Sequence, residues 1–329
     1  MQWAMYVSPK DGVTSTGLVV DEMIYGLGPG TTIIELLGDH GERLAEAWDL
    51  ATSHPAEILP VAEARLRAPI HRPPSIRDSS SFEAHLRASF EAQGIPWDDH
   101  WYDVPMFYFT NPADVRGSGE VIYAAEGSNQ LDFELEIAAI VGRDGTNLSA
   151  DEAEDHIVGY CIFNDWSARD VQRDEFRFKV GPFKTKDWAM SAGPYLVTKD
   201  ELEPFRKGNA YDLAMNAYVN GRHISHGNLA DVHWSFAELT AFASRGTWLR
   251  SGDFIGSGTV GTGCILELSL IHGSDAFPWL EPGDEVVLEV EHLGRLVNRV
   301  AAPIAAPEWK RSERAYAPPP PTGSAASNE

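Results

Sequence analysis

Residues 131–142 read Leu-Asp-Phe-Glu-Leu-Glu-Ile-Ala-Ala-Ile-Val-Gly. In an extended strand, successive side chains point to opposite faces. Phe133, Leu135, Ile137, Ala139 and Val141 then share an apolar face, and Asp132, Glu134 and Glu136 share the other. A strand of this kind belongs in a layered, β-rich fold. Three like charges side by side also need water or a cation to neutralise them. On this segment alone two readings stand: a solvated outer face of an antiparallel sheet, or one wall of a cation site.

A second acidic element bears on that choice. The apolar run from Ile157 to Phe163 ends at Asn164-Asp165-Trp166-Ser167-Ala168-Arg169-Asp170-Val171-Gln172. A buried strand that ends on an aspartate presents it at the rim of the sheet, where sites collect. Two strand glutamates and a rim aspartate make an oxygen-only ligand set. Mg²⁺ and Mn²⁺ suit such a set, whereas Zn²⁺ usually recruits His or Cys. Few protein ligands leave room for water and a chelating substrate.

Along the chain, 17–20 and 31–37 read as strands, with Gly28-Pro29-Gly30 as the turn before the second, and 42–51 has helical spacing. The stiff run Pro69 to Pro74 marks a boundary. Beyond it, Asp78 or one of Ser79 to Ser81 caps a predicted helix over 81–92 that carries His85. Strand-like segments follow at 104–110, 120–124, 131–141, 158–164, 194–198, 212–219, 263–271 and 284–299, with helical pieces at 150–156, 166–173 and 235–243. This order predicts a β-rich α+β fold and lacks the regular βα alternation of a doubly wound sheet. The predicted division is a small N-terminal β-rich domain over 1–68, a catalytic domain over 69–306 and a disordered tail over 307–329.

The 26 Lys and Arg against 49 Asp and Glu give a net charge of −23. Such a chain repels phosphate backbones and anionic membranes, which excludes nucleic-acid and membrane partners. It also requires a local cation wherever an anionic substrate binds. Cys161 and Cys264 sit in apolar runs and read as core thiols of a reducing compartment. No apolar run reaches 18 residues and the first residues lack a basic leader, so a cytoplasmic location is expected.

The segments Asp132 to Glu136 and Asn164 to Gln172 resemble the fumarylacetoacetate hydrolase family. The resemblance continues through Gly181-Pro182-Phe183 to Lys186, Ser191 to Thr198, Asp231 to Arg245, Gly252 to Ser269 and Leu293 to Val300. It implies a mixed β-sandwich roll, a homodimer, and Mg²⁺ or Mn²⁺ (Ca²⁺ as an alternative) held by Glu134, Glu136 and Asp165, without an organic cofactor. The fumarylacetoacetase branch has a further aspartate ligand, whose best match here is Ser81, so three carboxylates are expected. His85 matches the catalytic histidine of smaller members. Their glutamate three residues later is replaced by Ala88, and Glu267 is the candidate substitute partner. Lys186 would stabilise developing negative charge. Tyr108, Gln172 and Thr259 match substrate contacts, as does Arg169, which is also expected to brace Asp165 or Asp170. Asn111 stands where many smaller members carry a lysine, which argues against a pyruvate-type grip.

The function implied is hydrolysis of a C–C bond next to a carbonyl in a small diketo or oxo acid, through a metal-stabilised enolate. Decarboxylation, hydration or isomerisation of a 2-oxo acid on the same fold is the alternative. A non-catalytic binding or assembly protein is the reading from another class, and the retained carboxylates and Lys186 speak against it. Two further motifs carry no function in this reading. Gly256 to Gly261 spells GxGxxG, but the segment after it reads as a strand rather than the helix a dinucleotide site needs. His223, His226 and His233 are taken as structural.

Overall fold

A computed structural model describes residues 1–92, 94–179 and 181–307. The predicted tail therefore lies, except for Pro307, outside the described residues. Among them, the largest sheet has twelve strands. Its central strand is Leu135–Val141, flanked antiparallel by Ile157–Asn164 and Phe254–Gly256. Ile76–Ser79 pairs parallel with Phe254–Gly256 and antiparallel with Phe107–Thr110. A second, five-stranded sheet is built from Arg222–Asn228, Ala214–Val219, Glu285–Val290, Gly294–Ala301 and Val121–Tyr123.

The alternation read from the sequence explains how these layers pack. Leu135, Ile137, Ala139 and Val141 face a core shared with Met215, Ala217, Leu288 and Leu296 of the five-stranded sheet. On the opposite face, Ala138 and Ile140 join Trp3, Leu18, Leu44 and Phe163 in a second core. The central strand is thus buried on both sides, and its acidic end is not solvated: Asp132 and Glu136 are fully buried and Glu134 is 5% exposed. The open-face reading of the three acids fails.

The strands of the N-terminal segment, which the sequence sets apart, extend the same large sheet. Gln2–Val7 pairs antiparallel with Met190–Thr198 and carries Thr14–Val20, Met23–Pro29 and Glu57–Pro60 outward. Three local expectations are corrected. The 31–37 strand is a 3₁₀ turn, Ile33–Leu36, because the Glu35 carboxylate accepts from the Thr32 amide at 2.9 Å and closes the chain on itself. The 263–271 strand is a helix, Ile265–His272. Its first two amides donate to Asp132, at 2.7 and 3.0 Å, and that side-chain cap overrides the apolar pattern. Asp78 caps no helix; it lies in the strand Ile76–Ser79, ahead of the helix Glu83–Ala92. No helix among the described residues is long and apolar enough to cross a membrane.

Candidate active site

The site forms where the central strand breaks. Regular pairing lapses at Phe133 and Glu134, between Leu131–Asp132 and Leu135–Val141. Asp132 turns to cap the helix Ile265–His272, while Glu134 and Glu136 bring carboxylate oxygens to a common point. Asp165 arrives from the end of the neighbouring strand Ile157–Asn164. Asp78 arrives from the strand Ile76–Ser79. Oxygens of Asp78, Glu134, Glu136 and Asp165 all lie within 4.8 Å of one another, and all four side chains are buried. The structure therefore brings together four carboxylates rather than three, and the fourth is Asp78 rather than the Ser81 position. Ser81 is fully buried and its hydroxyl donates to the Ser257 carbonyl.

Burial drives the electrostatics. It pushes the Asp165, Glu136 and Asp78 carboxyls up, and repulsion among the carboxylates adds to it. For Glu134, burial acts the same way, but the adjacent Lys186 and Arg169 outweigh it and hold that carboxyl below its usual range. The Lys186 ammonium contacts Glu134 and lies 2.5 Å from Asp165. Burial opposes its charge, yet Asp165 and Glu134 raise its pKa. Arg169 donates to Asp132 and Glu134, both at 2.8 Å, and to Gln172 at 3.1 Å. It is 3% exposed and spans those two carboxylates, not Asp165 or Asp170. Asp170 instead accepts from the Ser128 hydroxyl at 2.6 Å.

One oxygen of the cluster is unaccounted for. Asp165 Oδ1 is buried without a hydrogen-bond partner. A buried carboxylate oxygen left unpaired is costly, and a hard divalent cation among four carboxylates satisfies it. The donor set fits Mg²⁺, Mn²⁺ or Ca²⁺. The direction of the shifts fixes a sign. A raised pKa favours the protonated form of these acids in the metal-free protein, and a cation binds their ionised form. Cation binding is therefore expected to release protons, with affinity falling as pH falls. Calorimetry of Mn²⁺ binding in buffers of different ionisation enthalpy measures this. Heats that do not depend on buffer would contradict it.

Around this cluster, His85 Nδ1 lies 2.7 Å from Glu267 Oε2. The helix Glu83–Ala92 supplies the histidine, and the first turn of Ile265–His272 supplies the glutamate, which is 2% exposed. Glu267 was expected on a strand; the pairing with His85 comes from a helix. The Tyr108 hydroxyl contacts Asp165, and burial followed by that carboxylate raises the phenol well above its usual value. Thr259 Oγ1 donates to Glu136 at 3.2 Å. Asn111 is engaged with the Asp187 carbonyl at 3.0 Å, and Thr110 with the Lys186 carbonyl at 2.9 Å. Both therefore hold the backbone around Lys186.

The glycine-rich loop gets a different explanation. A strand, Phe254–Gly256, precedes it and a helix follows, so the expected strand does not exclude a dinucleotide; the loop's contacts do. The Gly258 amide donates to Glu136 at 3.1 Å and to Asp78 at 3.3 Å. A Cβ at Gly256 would sit 2.2 Å from Asp78 Oδ1, and one at Gly258 2.4 Å from the Ser79 carbonyl. The glycines admit the carboxylates, and the following helix N-terminus is occupied by Asp132. His223 and His226 share Asn216 Oδ1, each at 3.0 Å, and His233 packs on Trp101.

Arg169 allows a stability test. Arg169→Lys keeps the charge but loses the planar fork that spans Asp132 and Glu134. It is expected to cost about 2 kcal/mol, the scale of a charged hydrogen bond. Denaturant unfolding checks this, and an unchanged midpoint would contradict the bridging role.

A family model described as Fumarylacetoacetate (FAA) hydrolase C-terminal matches residues 75–301. The chain is 31% identical to oxaloacetate tautomerase YisK of Bacillus subtilis, over 83% of this chain and 87% of that one. It is 30% identical to the fumarylacetoacetase fahA of Aspergillus fumigatus, over 73% and 69%. Among solved structures, fumarylacetoacetate hydrolase from psychrophilic Exiguobacterium antarcticum superposes with a TM-score of 0.72 at 25% identity, covering 92% of this chain and 99% of that one. The β-rich α+β architecture, the buried carboxylate cluster and the matched span agree: this chain belongs to the fumarylacetoacetate hydrolase family.

Proposed function

We propose that the chain is a divalent-metal-dependent hydrolase that cleaves a C–C bond next to a carbonyl in a small diketo or oxo acid. The observation that carries this reading is the 2.7 Å His85–Glu267 pair beside Glu134 of the carboxylate cluster. In it, Asp78, Glu134, Glu136 and Asp165 hold Mg²⁺ or Mn²⁺, which when bound supplies Lewis-acid polarisation of the substrate's carbonyl oxygens.

The chain's own groups supply the rest. Glu267 fixes the His85 ring through Nδ1, which leaves Nε2 to take a proton from water. The water oxygen bonds to one carbonyl carbon, and the scissile C–C electron pair leaves toward the other carbonyl. His85 returns its proton to the carbon released from the broken bond, the one between the two carbonyls, which balances the step. Lys186 and Gln172 would donate to the oxygen that gains charge. Tyr108, Arg169 and Thr259 hold the acids: each hydrogen-bonds a carboxylate of the cluster.

Tautomerisation is the second reading, favoured by the 31% identity to an oxaloacetate tautomerase over most of both chains. There the same His85 moves a proton between carbon and oxygen without adding water. The discriminating experiment is turnover with Mg²⁺ or Mn²⁺ on acylpyruvates, fumarylacetoacetate-like diketones and oxaloacetate, with products resolved. Cleavage of a diketone supports hydrolysis. Keto–enol interconversion of oxaloacetate with no cleavage of any diketone would replace it.

A further inference from the structure

The oxygen cluster has a neighbour of different chemistry. His85, Glu134 and Cys264 present a nitrogen, an oxygen and a sulfur within 4.8 Å of one another. Cys264 is fully buried and not in a disulfide. It sits at the cap of the helix Ile265–His272, with its sulfur 3.5 Å from the Glu267 amide. A serine hydroxyl serves that cap at least as well, so the cap does not call for sulfur. His85 is oriented by a carboxylate on Nδ1, the arrangement that fixes an imidazole as a metal ligand through its other nitrogen.

We propose that His85, Cys264 and Glu134 form a second cation site, selective for Zn²⁺ and similar thiophilic ions, whose occupancy is inhibitory. Nitrogen, sulfur and a carboxylate oxygen, with water in the fourth position, are a zinc ligand set. Zinc bonds of about 2.0 to 2.3 Å place tetrahedral ligand atoms roughly 3.3 to 3.7 Å apart. Side-chain rotation closes the group onto the ion. As the sulfur–zinc bond forms, the thiol releases its proton to solvent, and nothing is oxidised or reduced. Glu134 belongs to both ligand sets, so the two ions compete for it. A zinc ion there also occupies His85. The binding half of this inference stands on the ligand geometry; the inhibitory half rests on the function proposed above for His85.

The test uses the full chain and Co²⁺ as a spectroscopic stand-in for zinc. Co²⁺ is expected to give a thiolate-to-cobalt charge-transfer absorption in the near ultraviolet, which Zn²⁺ abolishes by displacement. The chain has two cysteines, and Cys161, in the strand Ile157–Asn164, is not grouped with His85 and Glu134 as Cys264 is. Loss of the band in Cys264→Ser therefore assigns it. In Mg²⁺-loaded protein, each variant scaled to its own zinc-free rate, Cys264→Ser is expected to need about 10-fold or more zinc for half-inhibition. No band in the wild type, or a band that persists in Cys264→Ser, would overturn the site. A band without zinc inhibition would uphold the site and overturn the role of His85 in turnover.

Discussion

Asp165→Asn is expected to lower turnover by about 10³-fold or more and to abolish high-affinity Mn²⁺ binding, while the protein remains folded. The amide keeps the shape of the side chain and removes a full negative charge from the point where a cation needs it. Several kcal/mol of charge stabilisation by a bound ion corresponds to at least that rate factor. Asp165 is the informative choice because its Oδ1 has no other partner. Stability should move the other way. Burial and neighbouring carboxylates raise the folded pKa of Asp165. A raised acid contributes stability below its unfolded pKa that is lost as pH rises through the folded value. The metal-free wild type is therefore strained at neutral and alkaline pH, and the amide relieves it. Metal-free Asp165→Asn is expected to melt above metal-free wild type at pH 8, by about 2 °C or more per kcal/mol relieved, and to lose the further rise that Mn²⁺ gives the wild type. Calorimetry, melting curves and turnover on the same preparations decide it. Unchanged Mn²⁺ affinity would remove Asp165 from the ligand set. Glu134→Gln is the less clean variant: both acids pair with Lys186, but Glu134 also anchors Arg169, so its loss leaves two buried cations short of a partner rather than one.

Much of this site is legible in the sequence, and the part that is not has identifiable causes. Glu134, Glu136 and Asp165 stand out because period-two alternation and a strand that ends on an acid are local patterns. Asp78 escapes notice because it stands in Arg77-Asp78-Ser79-Ser80-Ser81, where an aspartate before a helix reads as a cap. Only the parallel pairing of 76–79 with 254–256 carries it into the cluster, and no local pattern encodes that contact. The signal available was charge economy: a buried strand rarely spends an aspartate without a partner. The helix Ile265–His272 was hidden for a related reason. Its sequence is apolar on nearly every side, so periodicity does not separate helix from strand, and the cap that decides it comes from Asp132, 133 residues away. The same long-range contact explains Arg169. Proximity in sequence suggested Asp165 or Asp170, whereas the fold offers it Asp132 and Glu134.

His85→Ala is expected to suppress C–C hydrolysis by 10²- to 10⁴-fold, the scale of general-base catalysis. Glu267→Gln should lower the same step, since an amide holds the ring less firmly and no longer stabilises the imidazolium that forms. The two losses should not add. His85 Nδ1 and Glu267 Oε2 are 2.7 Å apart, and Glu267 acts only through the ring, so the double variant is expected to be little worse than His85→Ala alone. The same cycle separates reaction types. Where water must be activated, the loss falls on kcat. Where the ring only shuttles a proton that solvent can also carry, His85→Ala costs a few-fold. A merely structural role for Glu267 would lower stability and leave kcat of the folded single variant unchanged. Turnover of one accepted substrate, with kcat and KM separated, by the wild type, both singles and the double, distinguishes these outcomes. Fully additive losses would refute the pairing as a catalytic unit even if each residue mattered alone.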